Sequence, residues 1–286
     1  MKEVMEIKWS SEKHMQMREK EGVPYLAYPQ MEEIPWIVHG FSTRLGGVSE
    51  GVCASMNLSF SRGDRPEAVM ENYRRISHAL GFSHESIVTS DQTHTTNVRV
   101  VGKEDCGCGV VLPRKFYDID GMVTNEPGVV LATFYADCVP LYLIDVKKKV
   151  IGLSHSGWRG TVGKMGAVTI QKMIEEYKSC PEDIYAAIGP SICQECYEVS
   201  GDVIEAFQKA YDEAYWPDLF YEKENGKFQL NLWKANEIVF REAGIKEEHI
   251  FMPGICTCCN HELLFSHRAS HGKRGNLAAF LGIKEE

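Results

Sequence analysis

Residues 136–161 of the chain read ADCVPLYLIDVKKKVIGLSHSGWRGT. Two apolar runs, at 141–145 and 150–153, flank the polar turn 146–149, and this pattern predicts a β-hairpin. The second run then passes through a glycine-rich turn into a segment with helical periodicity. A strand that leads directly into a helix predicts a fold in which helices pack on a sheet.

The helix predicted after this turn spans 161–178, because its apolar residues recur at spacings near 3.6. Predicted strands outnumber predicted helices along the chain, and hairpins occur. We therefore predict an α/β (α+β) fold, a single-domain mixed-sheet α/β sandwich, rather than a doubly wound parallel sheet. Further helices are expected at 66–80, 201–215 and 232–243, strands at 35–43, 122–124, 129–136, 184–188, 250–255 and 277–281, and a strand, a loop and a strand over 87–101.

The organisation of the chain indicates one domain over residues 1–286, because there is no internal repeat, low-complexity tract or Pro/Gly/Ser-rich linker. Residues 1–24 are expected to be a polar lead-in with at most a short strand at 4–9. The turn Asn-Glu-Pro-Gly at 125–128 predicts a second hairpin, since proline fixes φ and glycine supplies a positive φ.

The composition is that of a folded protein with an acidic surface. The 286 residues include 12 Phe, 5 Trp and 12 Tyr and carry a formal net charge of −9. The aromatic content excludes disorder as the main state, and the acidic balance argues against a nucleic-acid partner. No apolar run approaches the roughly 18–20 residues of a membrane span, and the N-terminus lacks the apolar region of a secretory signal. A cytoplasmic protein with reduced cysteines and no membrane partner is expected.

Three separated residues form a candidate zinc site. His94 lies in a polar Gln-Thr-His-Thr loop, Cys138 ends a predicted strand, and His155 lies at the end of another. Two imidazoles and one thiolate are ligands that Zn²⁺ prefers, and three protein ligands leave a fourth position open for catalysis. The alternative is that His155 is a hydrogen-bonded structural residue, and the long spacings along the sequence leave this open.

The same turn is a candidate anion site. Gly157 and Arg159 lie where the predicted helix begins, and free N–H groups and positive dipole at a helix start favour phosphate. Arg44, in a second glycine-rich loop, offers another positive group. The alternative is an ordinary strand-to-helix turn anchored by Trp158.

The remaining cysteines form close groups, Cys106/Cys108, Cys193/Cys196 and Cys256/Cys258/Cys259. A zinc ribbon needs two Cys-x-x-Cys units about 15–20 residues apart, whereas 59 residues separate these two. We therefore expect reduced thiols, with adventitious metal binding or oxidation at 256–259 as the alternative. The P-loop, the Gly-x-Ser-x-Gly elbow and the zinc nucleobase deaminase signature are all missing.

The whole pattern resembles the bacterial YfiH/YlmD family, in its YlmD-like branch, over about residues 34–283. This family is often labelled laccase-domain or multicopper polyphenol oxidase and is now regarded as purine nucleoside phosphorylases. The carrying motifs are HGFSTRLGGVSEG (39–51), NLS (57–59), GD (63–64), DQTH (91–94), DIDGMVTNEPG (118–128), ADCVPLYLID (136–145), LSHSGWRGT (153–161), AIGPSICQECYEV (187–199), LNLWKAN (230–236) and CTCCNHELLFSHR (256–268).

The resemblance implies one zinc ion bound by His94, Cys138 and His155, which would also be the catalytic residues. It implies phosphorolysis of adenosine, inosine and S-methyl-5′-thioadenosine, deamination of adenosine, and a fold similar to that of a deamidating bacterial toxin. Purine nucleosides and phosphate are then the expected partners. The ending Lys-Arg-Gly-Asn at 273–276 departs from the Gly-Arg-Met type that is more usual in the family.

Three other functions stay open at this point. A cysteine hydrolase or amidase would use Cys138 as the nucleophile and His155 as the base, with peptidoglycan-precursor editing as one possible role. A copper-dependent polyphenol oxidase is a weaker alternative, because no His-x-His pair occurs among the ten histidines. A non-enzymatic partner protein that uses the acidic surface is the third.

Overall fold

The computed structural model of the chain describes residues 6–10 and 15–285. These residues contain fifteen strands and seven α-helices. The strands are β1 (Gln16–Lys20), β2 (Val23–Ala27), β3 (Ile37–Ser42), β4 (Ile87–Val88), β5 (Val98–Val100), β6 (Gly121–Thr124), β7 (Val130–Tyr135), β8 (Val139–Asp145), β9 (Val150–Ser156), β10 (Ile184–Ile188), β11 (Glu198–Val199), β12 (Phe220–Glu222), β13 (Phe228–Leu230), β14 (Ile250–Phe251) and β15 (Leu277–Ile283). The helices are α1 (Pro29–Glu32), α2 (Pro66–Leu80), α3 (Trp158–Val162), α4 (Met165–Tyr177), α5 (Gly201–Ala210), α6 (Trp216–Leu219) and α7 (Leu232–Glu242).

The strands form three sheets. Sheet A has the order β1-β2-β3-β15-β7-β4, sheet B the order β14-β10-β8-β9-β6-β5, and sheet C the order β11-β13-β12. Most neighbours are antiparallel, and the pairs β4–β7, β5–β6 and β10–β14 are parallel. The prediction of mixed sheets is confirmed, and so is the hairpin of β8 and β9.

Sheets A and B pack face to face with helices on their outer sides. Successive strand residues point to opposite faces. In β7, Leu131 packs between the two sheets, whereas Val130 faces α2. In β8, Tyr142 packs between the sheets and donates to Gly40 O of β3 at 3.1 Å, whereas Leu141 faces α4 and α7. The alternation gives four layers, helix, sheet A, sheet B and helices.

Helix α2 has the predicted bounds. Pro66 occupies its first turn, and Gly81 ends it with φ at +89°, a left-handed conformation that glycine adopts without a steric cost. Its buried face, which includes Val69 and Tyr73, covers the outer side of sheet A.

The helix predicted over 161–178 is divided into α3 and α4. Lys164 has a left-handed φ of +58° and stands before the first residue of α4. A Cβ on Gly163 would lie 2.7 Å from Thr96 Cγ2. The break therefore lets this turn approach the loop that carries His94, a tertiary contact that periodicity does not reveal.

The prediction of a hairpin around 125–128 is wrong. The turn is present, but β6 pairs within sheet B and β7 within sheet A. Both strands are almost fully buried, and continuous apolar runs do not indicate which partner a strand takes. The turn therefore carries the chain from one sheet to the other.

The polar lead-in predicted for 1–24 also differs from the structure. β1 and β2 form an antiparallel pair at the edge of sheet A, from Gln16↔Ala27 to Lys20↔Val23. Charged residues are usual on such an edge because they discourage further strand pairing, so composition hid this strand. Residues 4 and 5 of the strand predicted at 4–9 lie outside the described residues, and Trp9 forms an isolated bridge with Ile255.

The other bounds shift by a few residues at most places. The longest predicted late strand, 250–255, shortens to β14, and the helix predicted over 201–215 ends at Ala210 with a separate 3₁₀ turn at Glu213–Tyr215. No helix within residues 6–10 and 15–285 is long and apolar enough to cross a membrane.

Candidate metal site and its cavity

Three side chains from distant parts of the sequence meet at one end of sheet B. His155 lies in β9, Cys138 directly precedes β8, and His94 lies in the loop between β4 and β5 with φ at +67°. Their ligand atoms all lie within 4.8 Å of one another, and Cys138 Sγ is 3.9 Å from His94 Nε2. The structure therefore brings together the three residues that the sequence singled out. We refer to them as the His/Cys/His cluster.

Gly157 makes this approach possible. It follows β9 and precedes α3, directly against the cluster. A Cβ at this position would lie 2.9 Å from His94 Cδ2 and 3.2 Å from Cys138 Sγ. Any side chain would have to displace two members of the cluster, so the glycine is required by space rather than by backbone conformation.

Asp120 orients the cluster, a role that sequence reasoning did not assign. His155 Nδ1 donates to Asp120 Oδ1 at 2.7 Å, which leaves Nε2 of the imidazole free to act as a ligand. The same carboxylate accepts backbone N–H groups of Thr93, His94 and Thr95 at 3.0–3.2 Å. One fully buried carboxylate thus holds both segments that carry the imidazoles. A carboxylate is a usual hydrogen-bond partner of a metal-binding histidine. An acidic residue inside the apolar stretch 119–123 was the available signal.

The cluster holds opposite charges in a buried place. Burial would raise the pKa of Cys138, but the charge and hydrogen bonds of His155 and His94 outweigh it and lower the pKa to about 6. Burial would lower the pKa of His155, but the Cys138 thiolate and the Asp120 carboxylate raise it to about 9. Burial would raise the pKa of Asp120, but the hydrogen bond and charge of His155, together with the backbone N–H groups of Thr93 and Thr95, lower it. Between the pKa values of Cys138 and His155, a thiolate beside an imidazolium is favoured.

A cavity of about 410 Å³ opens from the cluster, within the size range of small-molecule sites. Its lining includes four aromatic residues, Phe60 and Tyr73, which stack with ring centroids 5.8 Å apart, and Phe134 and Tyr135. Aromatic walls of this kind suit a flat, apolar ring system. The polar lining includes Ser59, Ser61, Ser90, Asp91, Gln92 and Asn276.

Three arginines, Arg62, Arg114 and Arg274, line the cavity. Arg114 is paired with Asp91 at 2.8 Å. Burial and the neighbouring charge of Arg62 lower the pKa of Arg274 to about 10, and its Nε has no hydrogen-bond partner in the part of the chain that the structure describes. Two adjacent guanidinium groups with spare donors favour an anion between them. Sequence reasoning gave neither Arg62 nor Arg274 a role.

The two arginines that the sequence singled out lie elsewhere. Arg44 donates to Ala54 O at 3.0 and 2.9 Å and to His261 O at 2.9 Å, and its guanidinium lies over Phe265. Arg159 is exposed and lies over the Trp158 ring at 4.3 Å. Neither is among the described residues that line the cavity.

Four of the other cysteines, which the sequence predicts to be reduced thiols, lie together in the structure. The sulfur atoms of Cys193, Cys196, Cys256 and Cys259 all lie within 4.8 Å of one another. Spacing along the chain argued against a shared site, but the fold closes the interval. No disulfide occurs in the described ranges. The molecule thus has a second group of potential metal ligands.

These features define a class of protein: a mixed α/β fold with a His/Cys/His cluster that opens to a cavity of ligand size. The family described as "Multi-copper polyphenol oxidoreductase laccase" matches residues 38–284. The chain belongs to this family, the YfiH/YlmD family, as the sequence motifs predicted.

Relatives of known name are similar over most of their length. The chain is 36% identical over 250 residues to "Purine nucleoside phosphorylase YlmD" of Geobacillus stearothermophilus, which covers 87% of this chain and 91% of the relative. It is 35% identical over 254 residues to the protein of the same name from Bacillus subtilis, with 87% and 89% covered. The crystal structure of YlmD from Geobacillus stearothermophilus matches with a TM-score of 0.88 at 33% identity and covers 96% of this chain and 100% of that one. The predicted fold class is confirmed by this match.

Proposed function

We propose that the chain is a cytoplasmic, zinc-dependent purine nucleoside phosphorylase that acts on adenosine, inosine and S-methyl-5′-thioadenosine and also deaminates adenosine. The observation that carries the proposal is the cavity, where a His/Cys/His cluster, aromatic walls and unneutralised arginines meet. The names of the YlmD relatives support the reaction class. The substrate range and the deaminase activity rest on the family resemblance alone.

Phosphorolysis makes two demands on a site. A phosphate oxygen forms a bond to C1′ of the ribose while the bond from C1′ to the purine nitrogen breaks, and the purine leaves with the electron pair and gains a proton. The protein must therefore hold phosphate against C1′ and stabilise negative charge on the leaving base. Preorganised charge in a buried site is the strongest means of doing so.

Arg274 and Arg62 are the phosphate ligands that the cavity favours, because both line it and their charges are adjacent. Phe60 and Phe134 would pack against the purine ring. Gly157 would contribute by leaving space for His94 and Cys138. Arg44 and Arg159 do not line the cavity, so neither would contact a phosphate bound inside it.

His94, Cys138 and His155 fit one Zn²⁺, because two imidazoles and a thiolate of low pKa form a typical donor set with one position open. Bound zinc would supply a Lewis acid that stabilises charge on the purine or activates water for deamination. Asp120 fixes the tautomer of His155, so that Nε2 faces the other two ligands. A multicopper oxidase reaction fits the chain less well, because it needs several copper sites built from imidazoles. Among the described residues, the second group of potential ligands consists of four cysteines and contains no imidazole.

Product analysis tests the proposal. Zinc-replete protein should release hypoxanthine from inosine only when phosphate is present, with ribose 1-phosphate as the second product. Adenosine should give adenine with phosphate and inosine without it. Release of free ribose, or no cleavage of any of the three nucleosides, would overturn the assignment.

A cysteine hydrolase is the second candidate, and one observation favours it. The lowered pKa of Cys138 and the adjacent protonated His155 are also the features of a catalytic Cys–His pair. His94 distinguishes the two, because a pair needs no second imidazole, whereas a three-ligand site does.

A further inference from the structure

Two neighbouring loops of sheet B carry the four-cysteine group, which consists of Cys193, Cys196, Cys256 and Cys259. Cys193 and Cys196 lie in the loop after β10, and Cys256 and Cys259 lie in the loop after β14. β10 and β14 are parallel neighbours, with Ala186 opposite Ile250. Parallel strands end at the same edge of a sheet, so the loops that follow them are adjacent. The 59-residue interval in the sequence is closed by this pairing.

The two loops also contact each other directly beyond the ends of β10 and β14. Ser191 and Cys256 form an isolated parallel bridge, and Thr257 N donates to Ser191 O at 3.1 Å. Two turns, each with a Cys-x-x-Cys spacing, therefore face each other across a fixed backbone junction.

The sulfur positions fit one tetrahedral ion. Cys193 Sγ is 3.9 Å from Cys259 Sγ, and Cys196 Sγ is 3.4 Å from it. Zinc–sulfur bonds of about 2.3 Å place tetrahedral ligands about 3.8 Å apart. All four sulfurs lie within 4.8 Å of one another. An iron–sulfur cluster would spread its cysteines over several iron atoms and hold them farther apart.

The surroundings of Cys256 stabilise a thiolate at this position. The backbone N–H groups of Cys193 and Cys259 donate to Cys256 Sγ at 3.2 and 3.4 Å. Arg268 donates from its guanidinium to Cys196 O at 3.1 Å and so places a positive charge beside the group. Such donors stabilise sulfur ligands that carry negative charge.

We propose that Cys193, Cys196, Cys256 and Cys259 bind one structural Zn²⁺, separate from the His/Cys/His cluster. Four sulfur ligands in tetrahedral reach select zinc, and a site with every position filled by protein is structural rather than catalytic.

The ion would secure the segment that carries the catalytic cysteine. Asp137, directly before Cys138, has φ at +89°. Its carboxylate accepts from Thr257 Oγ1 at 2.7 Å and from Arg268 N at 2.7 Å, and its carbonyl accepts from Ile192 N at 3.0 Å. These contacts come from the two metal-bound loops and from the chain that follows them. Zinc at the four cysteines thus positions Cys138 without touching substrate.

Metal content of the full-length protein, purified in reducing buffer, tests the proposal. Wild type should contain a second zinc that does not depend on the His/Cys/His cluster, so the His94→Ala variant should keep one zinc per chain. Cys196→Ser combined with Cys259→Ser should lose that ion. Cys258→Ser is the matched control, because Cys258 lies between two proposed ligands but outside the group of four, and it should keep the wild-type content.

Two measurements on protein without substitutions at the four cysteines guard against a variant that fails to fold. In His94→Ala, X-ray absorption should show zinc with sulfur neighbours at about 2.3 Å, and a chelator should lower the melting temperature. In wild type, alkylation should label exposed Cys180 at once and the four cysteines only after chelation. Absence of zinc from His94→Ala, a Cys196–Cys259 disulfide in the reduced preparation, or immediate labelling of all four cysteines would overturn the proposal. Each result stands whether or not the protein cleaves nucleosides.

Discussion

The two groups of potential ligands differ in their donors and in their access to solvent. The His/Cys/His cluster combines two imidazoles with one thiolate and opens to a cavity, whereas the four-cysteine group offers only sulfur and leaves no position for a substrate. Both are assembled by sheet B, one at β8 and β9 and the other at β10 and β14. The same sheet therefore supplies a site suited to chemistry and a site suited to holding loops in place.

The largest effect should come from removing a ligand of the cluster. Cys138→Ala or His94→Ala should abolish one zinc and nearly all nucleoside cleavage while unfolding stays cooperative, because an open site contributes to function more than to core stability. Elemental analysis and thermal unfolding of each variant measure this. Full zinc retention in Cys138→Ala would remove the distinction between the two groups.

Asp120→Asn should weaken only the cluster. The variant loses the charge that orients His155, and loss of such a partner lowers metal affinity on the order of 10- to 100-fold. Competition with a chromophoric chelator gives the affinity of each site. Asp118→Asn is the control, since Asp118 is an exposed neighbour without contact to the imidazole. Equal weakening of both zinc ions would indicate a general loss of structure instead.

Arg274→Gln should raise the KM for phosphate while leaving both metals bound. Loss of a charge-assisted contact costs about 1.5–3 kcal/mol, or roughly 10- to 100-fold in phosphorolysis. Deamination of adenosine should change little, because it uses no phosphate. Arg159→Gln and Arg44→Gln are the comparisons, and a larger phosphate effect in either one would move the anion site out of the cavity.

The smallest effect concerns alkylation of Cys138. In holo-protein the thiolate should react slowly with iodoacetamide, and chelation should speed the reaction. In metal-free protein the rate should rise as the pH increases through about 6, since the thiolate forms above its pKa. At pH 7 this gives a rate about two- to threefold above that of an ordinary thiol, after allowance for weaker nucleophilicity. Rapid labelling of Cys138 in zinc-replete protein, together with a fully active His94→Ala variant, would favour the cysteine hydrolase.

Local signals in the sequence predicted what local physics determines. The β8–β9 hairpin and the bounds of α2 follow from alternation, proline and glycine. The His/Cys/His cluster was identified from the donor chemistry of its three residues and from the family motifs in which they lie.

Several of the features that the sequence did not reveal depend on strand order. The four-cysteine group forms because β10 lies beside β14. The turn at 125–128 joins two sheets because β6 pairs within sheet B and β7 within sheet A. Arg274 reaches the cavity only because β15 follows it into the centre of sheet A. Spacing along the chain carries no information about such neighbours.

The central place of β15 has a consequence for synthesis on the ribosome. The strands of sheet B are complete once Phe251 has been added, but β15 lies between β3 and β7 in sheet A. Until residues 277–283 emerge, sheet A exists as two separate pieces with unpaired apolar edges. At about 5–20 residues per second, the remaining 32 residues take roughly 2–6 s. During that interval the nascent chain exposes β3 and β7, and these are the segments that a chaperone would cover first.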